Sequence, residues 1–391
     1  VFEGKKEREV KYRLVSLLSL GHLVTDMTQG AVAALLPFLI AEHHLSYAAA
    51  AGIIFAMTVV SSLVQPLFGH FADRLSKPWL MPMGVLLAGL GIAVTGVAPN
   101  YRFILLVVAI SGLGVAAYHP EAARLVNYVV AEKKATAMSI FGVGGQLGFA
   151  IGPLMTTAIL LSWSLKGTLL LALPAILVGI FFTWRIPEFS VHVRATPKRS
   201  GSTQEIVHDE WGPFSRLSVV VFCRSIIFYG LNTFIPLYWI NVLHQSKAAG
   251  GTALTLLFTA GVVGTLIGGR VADHLGHCNV IWSGLSGLMV LLPIFVSTSN
   301  VLMATILLVV IGIINYTTYS PIVVMGQKYL PNHVGLASGV TFGLAVTIGG
   351  VTAPLLGLVA DHHGIRTAFW GLTCLPILAT GFALTLPHPK R

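Results

Sequence analysis

The sequence predicts an all-α membrane protein in which twelve transmembrane helices form two pseudo-symmetric six-helix bundles. Three observations carry that expectation. Of 391 residues, 55% are hydrophobic and 10% charged, with a mean hydropathy of +0.82, whereas soluble domains carry about 25% charged residues. Apolar runs long enough to cross a bilayer recur twelve times, six on each side of a polar interval. The two sets also repeat one another at a nearly constant offset.

Taken in order, the runs fall at about 14–40, 47–72, 79–98, 103–130, 135–162 and 167–184, then 215–240, 250–272, 279–298, 300–325, 335–360 and 367–386. They are continuous rather than alternating, which excludes the strands of a membrane barrel. The grouping predicts a bundle over 14–184, a cytoplasmic linker over 185–214 and a second bundle over 215–386. Glycine is abundant, as suits helices whose backbones approach closely in lipid. With the N-terminus in the cytoplasm, nineteen Lys and Arg fall in cytoplasmic segments and four outside, at Arg102, Lys166, Lys247 and Arg366. That asymmetry predicts that both termini are cytoplasmic. The net charge of +10 then reflects short loops that set topology, so no nucleic-acid partner is expected. The linker, rich in charge, Ser, Thr and Pro, reads as a solvated connection, with a docking role as the alternative. The polar start "VFEGKKEREVKYR" runs into a full-length span, so no removable signal peptide is expected. Cys223, Cys278 and Cys374 are far apart and form neither a disulfide framework nor a zinc pattern.

The repeat is visible in three places. "GHFADRL" at Gly69 aligns with "GRVADHL" at Gly269, an offset of 200. "FGVGGQLGFAIGPLM" at Phe141 aligns with "FGLAVTIGGVTAPLL" at Phe342, and His119-Pro120 with Ser320-Pro321, both at 201. Parallel six-helix repeats with substrate bound between them define one class of secondary transporter.

"GHFADRLSKP" resembles the loop between the second and third helices of the major facilitator superfamily, with Gly69, Asp73 and Arg74 in place. Ser76 stands where a glycine is usual, and the second copy keeps Gly269 and Asp273 but has His274 for the expected Arg. The resemblance implies that these charges latch the halves when the cytoplasmic side is closed. "GQLGFAIGP", with Gly145, Gly148, Gly152 and Pro153, resembles the antiporter motif of drug exporters in that superfamily; a plain small-residue packing face is the alternative. Together with "GHLVTDM", "YHPEAARL" and "GTLIGGRVADHLG", the chain is similar from about residue 15 to 385 to the bacterial fosmidomycin resistance branch. That similarity implies proton-driven drug efflux across the bacterial inner membrane, with phosphonates as substrate. The implied partners are a small molecule, protons and the bilayer; no cofactor or metal is expected, and the protein is expected to be a monomer.

The residues themselves support a coupled transporter. Asp26 lies near the middle of the first run, and His22 shares its helix face. A carboxylate at bilayer depth costs roughly 2.5–3.5 kcal/mol on insertion scales, so its default reading is functional. Burial disfavours a charged carboxylate and a neighbouring cation favours it, which lets Asp26 load and release a proton. His22 is then either a proton relay or a structural hydrogen-bond partner. In the fourth run, Tyr118, His119, Glu121 and Arg124 form a second cluster around Pro120, which frees the Ala116 carbonyl. Glu121 and Arg124 can pair on one face; Glu121 is the second candidate proton site, and His119 is a further proton-coupling candidate. Arg224 lies deep in the seventh run and could pair with Asp26 or receive an anionic substrate. Gln29, Tyr118, Arg124, Tyr229, Asn232, Asn315, Tyr316 and Tyr319 are candidate substrate-cavity residues. A symporter or uniporter importing a small organic anion is the alternative transport reading. An intramembrane enzyme is not expected, since HExxH, GxGD and Walker motifs are absent.

Overall fold

The computed structural model describes residues 2–74, 77–129, 134–194 and 208–387, and no strand occurs among them. Among the described residues, twelve helices are long and apolar enough to cross a membrane. Spans one to six are Tyr12–His43, Tyr47–Phe68, Leu80–Val97, Tyr101–Val126, Ala137–Trp163 and Leu165–Phe189. Spans seven to twelve are Trp211–Asn241, Lys247–Leu275, His277–Ser297, Val301–Tyr329, Leu336–His363 and Ile365–Leu384. The chain is therefore a multi-pass membrane protein.

Prolines mark where these helices deviate. Span ten is two helices, Val301–Thr317 and Tyr319–Tyr329, separated at Thr318. Pro321 cannot donate to the carbonyl of Thr317, so the ladder fails there. At the break, the Thr318 hydroxyl donates to the Asn315 carbonyl at 2.9 Å. Span eleven carries a π-helical segment, Gly339–Leu344, before Ala345–His363. Such segments are frequent at functional positions.

The chain divides into two compact units, Val1–Leu39 with Ala56–Gly201, and Ile40–Phe55 with Ser202–Arg391. The sequence boundary differs from this at two places. The start of span two groups with the second unit, because Asp361 accepts from the backbone N–H of Tyr47 (2.6 Å) and Ala48 (3.0 Å). A carboxylate at a helix N-terminus is favourable, and Gly357 leaves room for the Ala48 backbone. The expected linker is also partly helix: the sixth helix continues to Arg194, with Arg185 bonded to Glu188 at 2.6 Å, and the seventh starts at Trp211. Residues 195–207 of the linker lie outside the described residues, as do the side chains of Gly69, Asp73 and Arg74.

In the first unit, Leu14, Leu18, Val85, Tyr118, Phe141, Phe182 and Phe189 form one buried cluster, which ties span one to spans three, four, five and six. Span five lies against span one through bare glycine backbone: Gly144 at Ser19, Gly145 at His22 and Asp26, Gly148 at Leu23, and Gly152 at Met27. The glycine series resembling the antiporter motif, Gly145, Gly148 and Gly152, makes these close approaches together with Gly144. In the second unit, close approach is made by Gly264 at Ile313 and Gly268 at Thr317. Gly269, the repeat partner of Gly69, faces open space, so Gly268 makes the packing contact expected of that motif.

Candidate functional site

Span one brings His22, Asp26 and Gln29 to one side, and span four adds His119. Asp26 is 5% exposed. Its Oδ2 lies 3.1 Å from His22 Nε2, and its Oδ1 lies 3.0 Å from His119 Nε2. Gln29 Nε2 donates to Oδ1 at 2.8 Å. Each imidazole is fixed from behind: His22 Nδ1 is 2.8 Å from the Phe141 carbonyl, and His119 Nδ1 is 2.8 Å from the Val115 carbonyl. The His22 ring stacks on Phe141 at 4.2 Å and meets the His119 ring edge-on at 4.8 Å. Gly145 is the wall opposite, where any Cβ would strike His22 Nε2 and Asp26 Oδ2.

Among the described residues, these three side chains also form a His/Asp group whose ligand atoms lie within 4.8 Å of one another. Metal–ligand bonds of about 2.0–2.2 Å place tetrahedral ligands about 3.3–3.6 Å apart. Two of the contacts here, at 3.0 and 3.1 Å, have hydrogen-bond spacing instead. The arrangement sets three titratable side chains in hydrogen-bond contact at a largely buried place.

The sequence placed Tyr118 in a substrate cavity. The structure puts it in the core: it is fully buried, and its hydroxyl donates to the Leu18 carbonyl. Gly21 is required beside it, since a Cβ there would meet the Tyr118 hydroxyl and the Phe182 ring. Glu121 is paired with Arg124 by two bonds, 2.6 and 3.1 Å, with no exposed side-chain surface. That bidentate pair is internally neutralised, which moves weight from Glu121 to Asp26. Gln29, assigned from sequence to substrate, is instead a donor to the Asp26 carboxylate.

The second unit gathers a different set. Arg224 Nε donates to the Asn315 carbonyl at 3.2 Å, and its guanidinium lies 4.9 Å from the Tyr319 ring centroid. Phe228 packs edge-on to Tyr229 (5.0 Å) and Tyr316 (5.8 Å). Asn232 and Asn315 are buried, and each has a side-chain carbonyl oxygen without a hydrogen-bond partner. Arg224 enters no ion pair among the described residues. Asp26 and Arg224, which could pair on the sequence reading, fall in different units, and each makes the bonds described here within its own. The surroundings of Arg224 thus include the Tyr319 ring and a backbone carbonyl, with no carboxylate in an ion pair with it among the described residues.

The model of the Major Facilitator Superfamily matches residues 18–354. The chain belongs to that superfamily. This member is 28% identical over 377 residues to the fosmidomycin resistance protein of Escherichia coli (strain K12), covering 94% of this chain and 91% of that protein. It is also 28% identical over 389 residues to the MFS-type transporter YfnC of Bacillus subtilis (strain 168), covering 97% and 94%. Among solved structures, a bacterial homologue of the human lysosomal transporter Spinster, inward-facing and unoccupied, gives a TM-score of 0.80 at 16% identity, covering 96% of each chain. The nucleoside transporter NupG gives 0.75 at 11% identity, covering 95% of this chain and 99% of that one. These two likenesses show the fold alone. Proteins of this superfamily are transporters, and the resemblance read in "GHLVTDM" and "YHPEAARL" reaches the same branch as the E. coli relative.

Two features escaped the sequence. Nothing local says that His119, 93 residues beyond Asp26, reaches its carboxylate. Gly145 was read as one glycine of the antiporter-like series, not as a wall of the Asp26 cluster, although a signal was present: its repeat counterpart at offset 201 is Val346.

Proposed function

We propose that this transporter is a proton-coupled exporter of a small anionic, phosphonate-type molecule, working by alternating access in the bacterial inner membrane with both termini cytoplasmic. The observation that carries the reading is the buried carboxylate of Asp26 held between His22 and His119. Protons entering this cluster from one side and leaving to the other supply the driving force; one charge crossing 100 mV is worth about 2.3 kcal/mol, and a pH gradient adds to it. Arg224, with Tyr316 and Tyr319, takes the anionic group of the substrate. The similarity to the E. coli fosmidomycin resistance protein supports the drug class, and the span-five glycine series supports exchange rather than import.

The test uses purified protein in proteoliposomes with fosmidomycin as probe. An imposed pH gradient should drive fosmidomycin against its concentration gradient, opposite to proton flow. Asp26→Asn should abolish that uphill movement while leaving downhill exchange. Uphill transport at full rate in Asp26→Asn would remove Asp26 from the mechanism, and proton and drug moving in the same direction would make the protein a symporter.

A further inference from the structure

The cluster around Asp26 can be counted in protons. His22 Nδ1 and His119 Nδ1 each lie 2.8 Å from a backbone carbonyl. A carbonyl only accepts, so both Nδ1 atoms carry hydrogen. Each Nε2 then holds a lone pair unless a further proton is added. Both Nε2 atoms face one carboxylate, at 3.1 Å on Oδ2 and 3.0 Å on Oδ1. A lone pair against a carboxylate oxygen at that distance repels, and in a dry site it repels strongly. Each contact is attractive only with a proton inside it. The Gln29 amide adds a donor to Oδ1 but serves neither imidazole.

We propose that Asp26, His22 and His119 load two protons as one site, one on each side of the carboxylate, and that the arrangement seen here is the doubly loaded form. The inference rests on the reading of Asp26 as the coupling group. The protons sit either as two imidazoliums about a carboxylate, or as one imidazolium and one neutral imidazole accepting from the protonated acid. In both cases the three groups sum to one positive charge. With both protons gone they sum to one negative charge, and both contacts turn repulsive; one proton satisfies one contact and frees the other ring. Occupancy therefore changes the cluster's charge and its shape together, and the shape joins span one to span four.

On spans four and five, the described neighbours leave the count to these three groups. Span five contains no titratable residue between Ala137 and Trp163 and presents the Phe141 carbonyl and the bare Gly145 backbone. From span four come Tyr118, whose hydroxyl is spent on the Leu18 carbonyl, and Glu121, paired with Arg124.

The count is readable without transport. In isotope-labelled protein in lipid, nitrogen signals of His22 and His119 are assigned by their loss in His22→Gln and His119→Gln, and the Asp26 carboxyl signal by its loss in Asp26→Asn. Two protons beyond the Nδ1 pair in acid, both lost on raising the pH, is the expected result. A single extra proton at every pH overturns the proposal. In proteoliposomes with the membrane potential clamped at zero, each coupled proton supports about a tenfold fosmidomycin gradient per pH unit. The wild type should reach about a hundredfold, and His119→Gln, which keeps a donor to Oδ1, about tenfold. An unchanged gradient in His119→Gln overturns the two-proton site. No gradient in the wild type would instead sink the coupling reading, with the spectra still deciding the count.

Discussion

The two units hold different chemistry at the same places in the sequence repeat. One glycine in each fixes the register: Gly148 lies against the Leu23 carbonyl, and Gly349 against the Ser225 carbonyl. On that register His22 corresponds to Arg224 and Asp26 to Phe228. At the span-four offset of 201, Tyr118 corresponds to Tyr319, His119 to Ser320, Glu121 to Ile322 and Arg124 to Met325. The contacts agree, for the His22 ring is 6.5 Å from Tyr118 and the Arg224 guanidinium is 4.9 Å from Tyr319. In the first unit an acid and a second imidazole complete the cation's surroundings. In the second, Phe228 stands where the acid would be, and the guanidinium bonds a backbone carbonyl. A duplicated scaffold has thus kept a nitrogen-bearing side chain near a tyrosine twice and set an acid beside it once. The unit with the acid suits protons; the unit without it suits an anion brought from outside.

The largest effect that sharpens this contrast is expected at Arg224. Hydrogen bonds to charged groups contribute about 1.5–3 kcal/mol, so Arg224→Gln should raise the Kd for fosmidomycin about 10- to 100-fold. The proton count on the Asp26 cluster should not move, because Arg224's partners, Asn315 and Tyr319, belong to its own unit. Binding measured on purified protein, beside the nitrogen and carboxyl spectra of the cluster, checks both halves of the statement. Intact affinity with lost coupling would break the comparison, since Arg224 would then be proton machinery.

A second test makes the first unit resemble the second. Gly145→Val installs the residue found at the equivalent position, Val346. Its side chain would collide with His22 Nε2 and Asp26 Oδ2. Overpacking of this kind costs about 1–3 kcal/mol, read as a lowered midpoint of thermal unfolding in detergent. Gly142→Ala is the control on the same helix, with nothing within 4 Å of the added carbon; it should be neutral or slightly stabilising, as alanine favours helix. Equal stability of the two variants would mean that Gly145 does not wall the cluster.

The range of each interaction decides how much of it sequence alone could deliver. The twelve spans were legible because membrane helices are specified by local apolar length; the break in span ten was not, since that run was read as continuous and Pro120 lies inside an unbroken helix. His22 and Asp26 were legible as a pair because four residues make one helical turn. The Glu121–Arg124 bond was legible for a similar reason, three residues apart. His119 against Asp26 was not, because only the packing of span four on span one makes it. The affiliation of residues 40–55 was hidden for the same reason, since it depends on a carboxylate at position 361 meeting two backbone N–H groups. Tyr118 misled because a tyrosine at bilayer depth reads the same whether its hydroxyl lines a cavity or, as here, caps a carbonyl in the core.

The smallest effect separates the buried cluster from the second unit's own titratable pair. Asp209 sits just before span seven, where partial desolvation pulls its carboxyl up. The Asn332 backbone N–H (3.1 Å) and His333 Nδ1 (2.7 Å) outweigh that and hold it below the usual carboxylate range. A carboxyl depressed in the folded state binds fewer protons folded than unfolded, so its contribution is fully present above the unfolded value of about 3.9 and is lost as pH falls through the folded value. His333 is half exposed, so solvent screens the pair and the effect is local. Asp209→Asn should lower the exchange protection of the Asn332 amide at neutral pH, and the difference from wild type should vanish in strong acid. If that variant instead shifted the pH dependence of transport, the pH response would not belong to the Asp26 cluster alone, and the division of labour between the two units would fail at its weakest point.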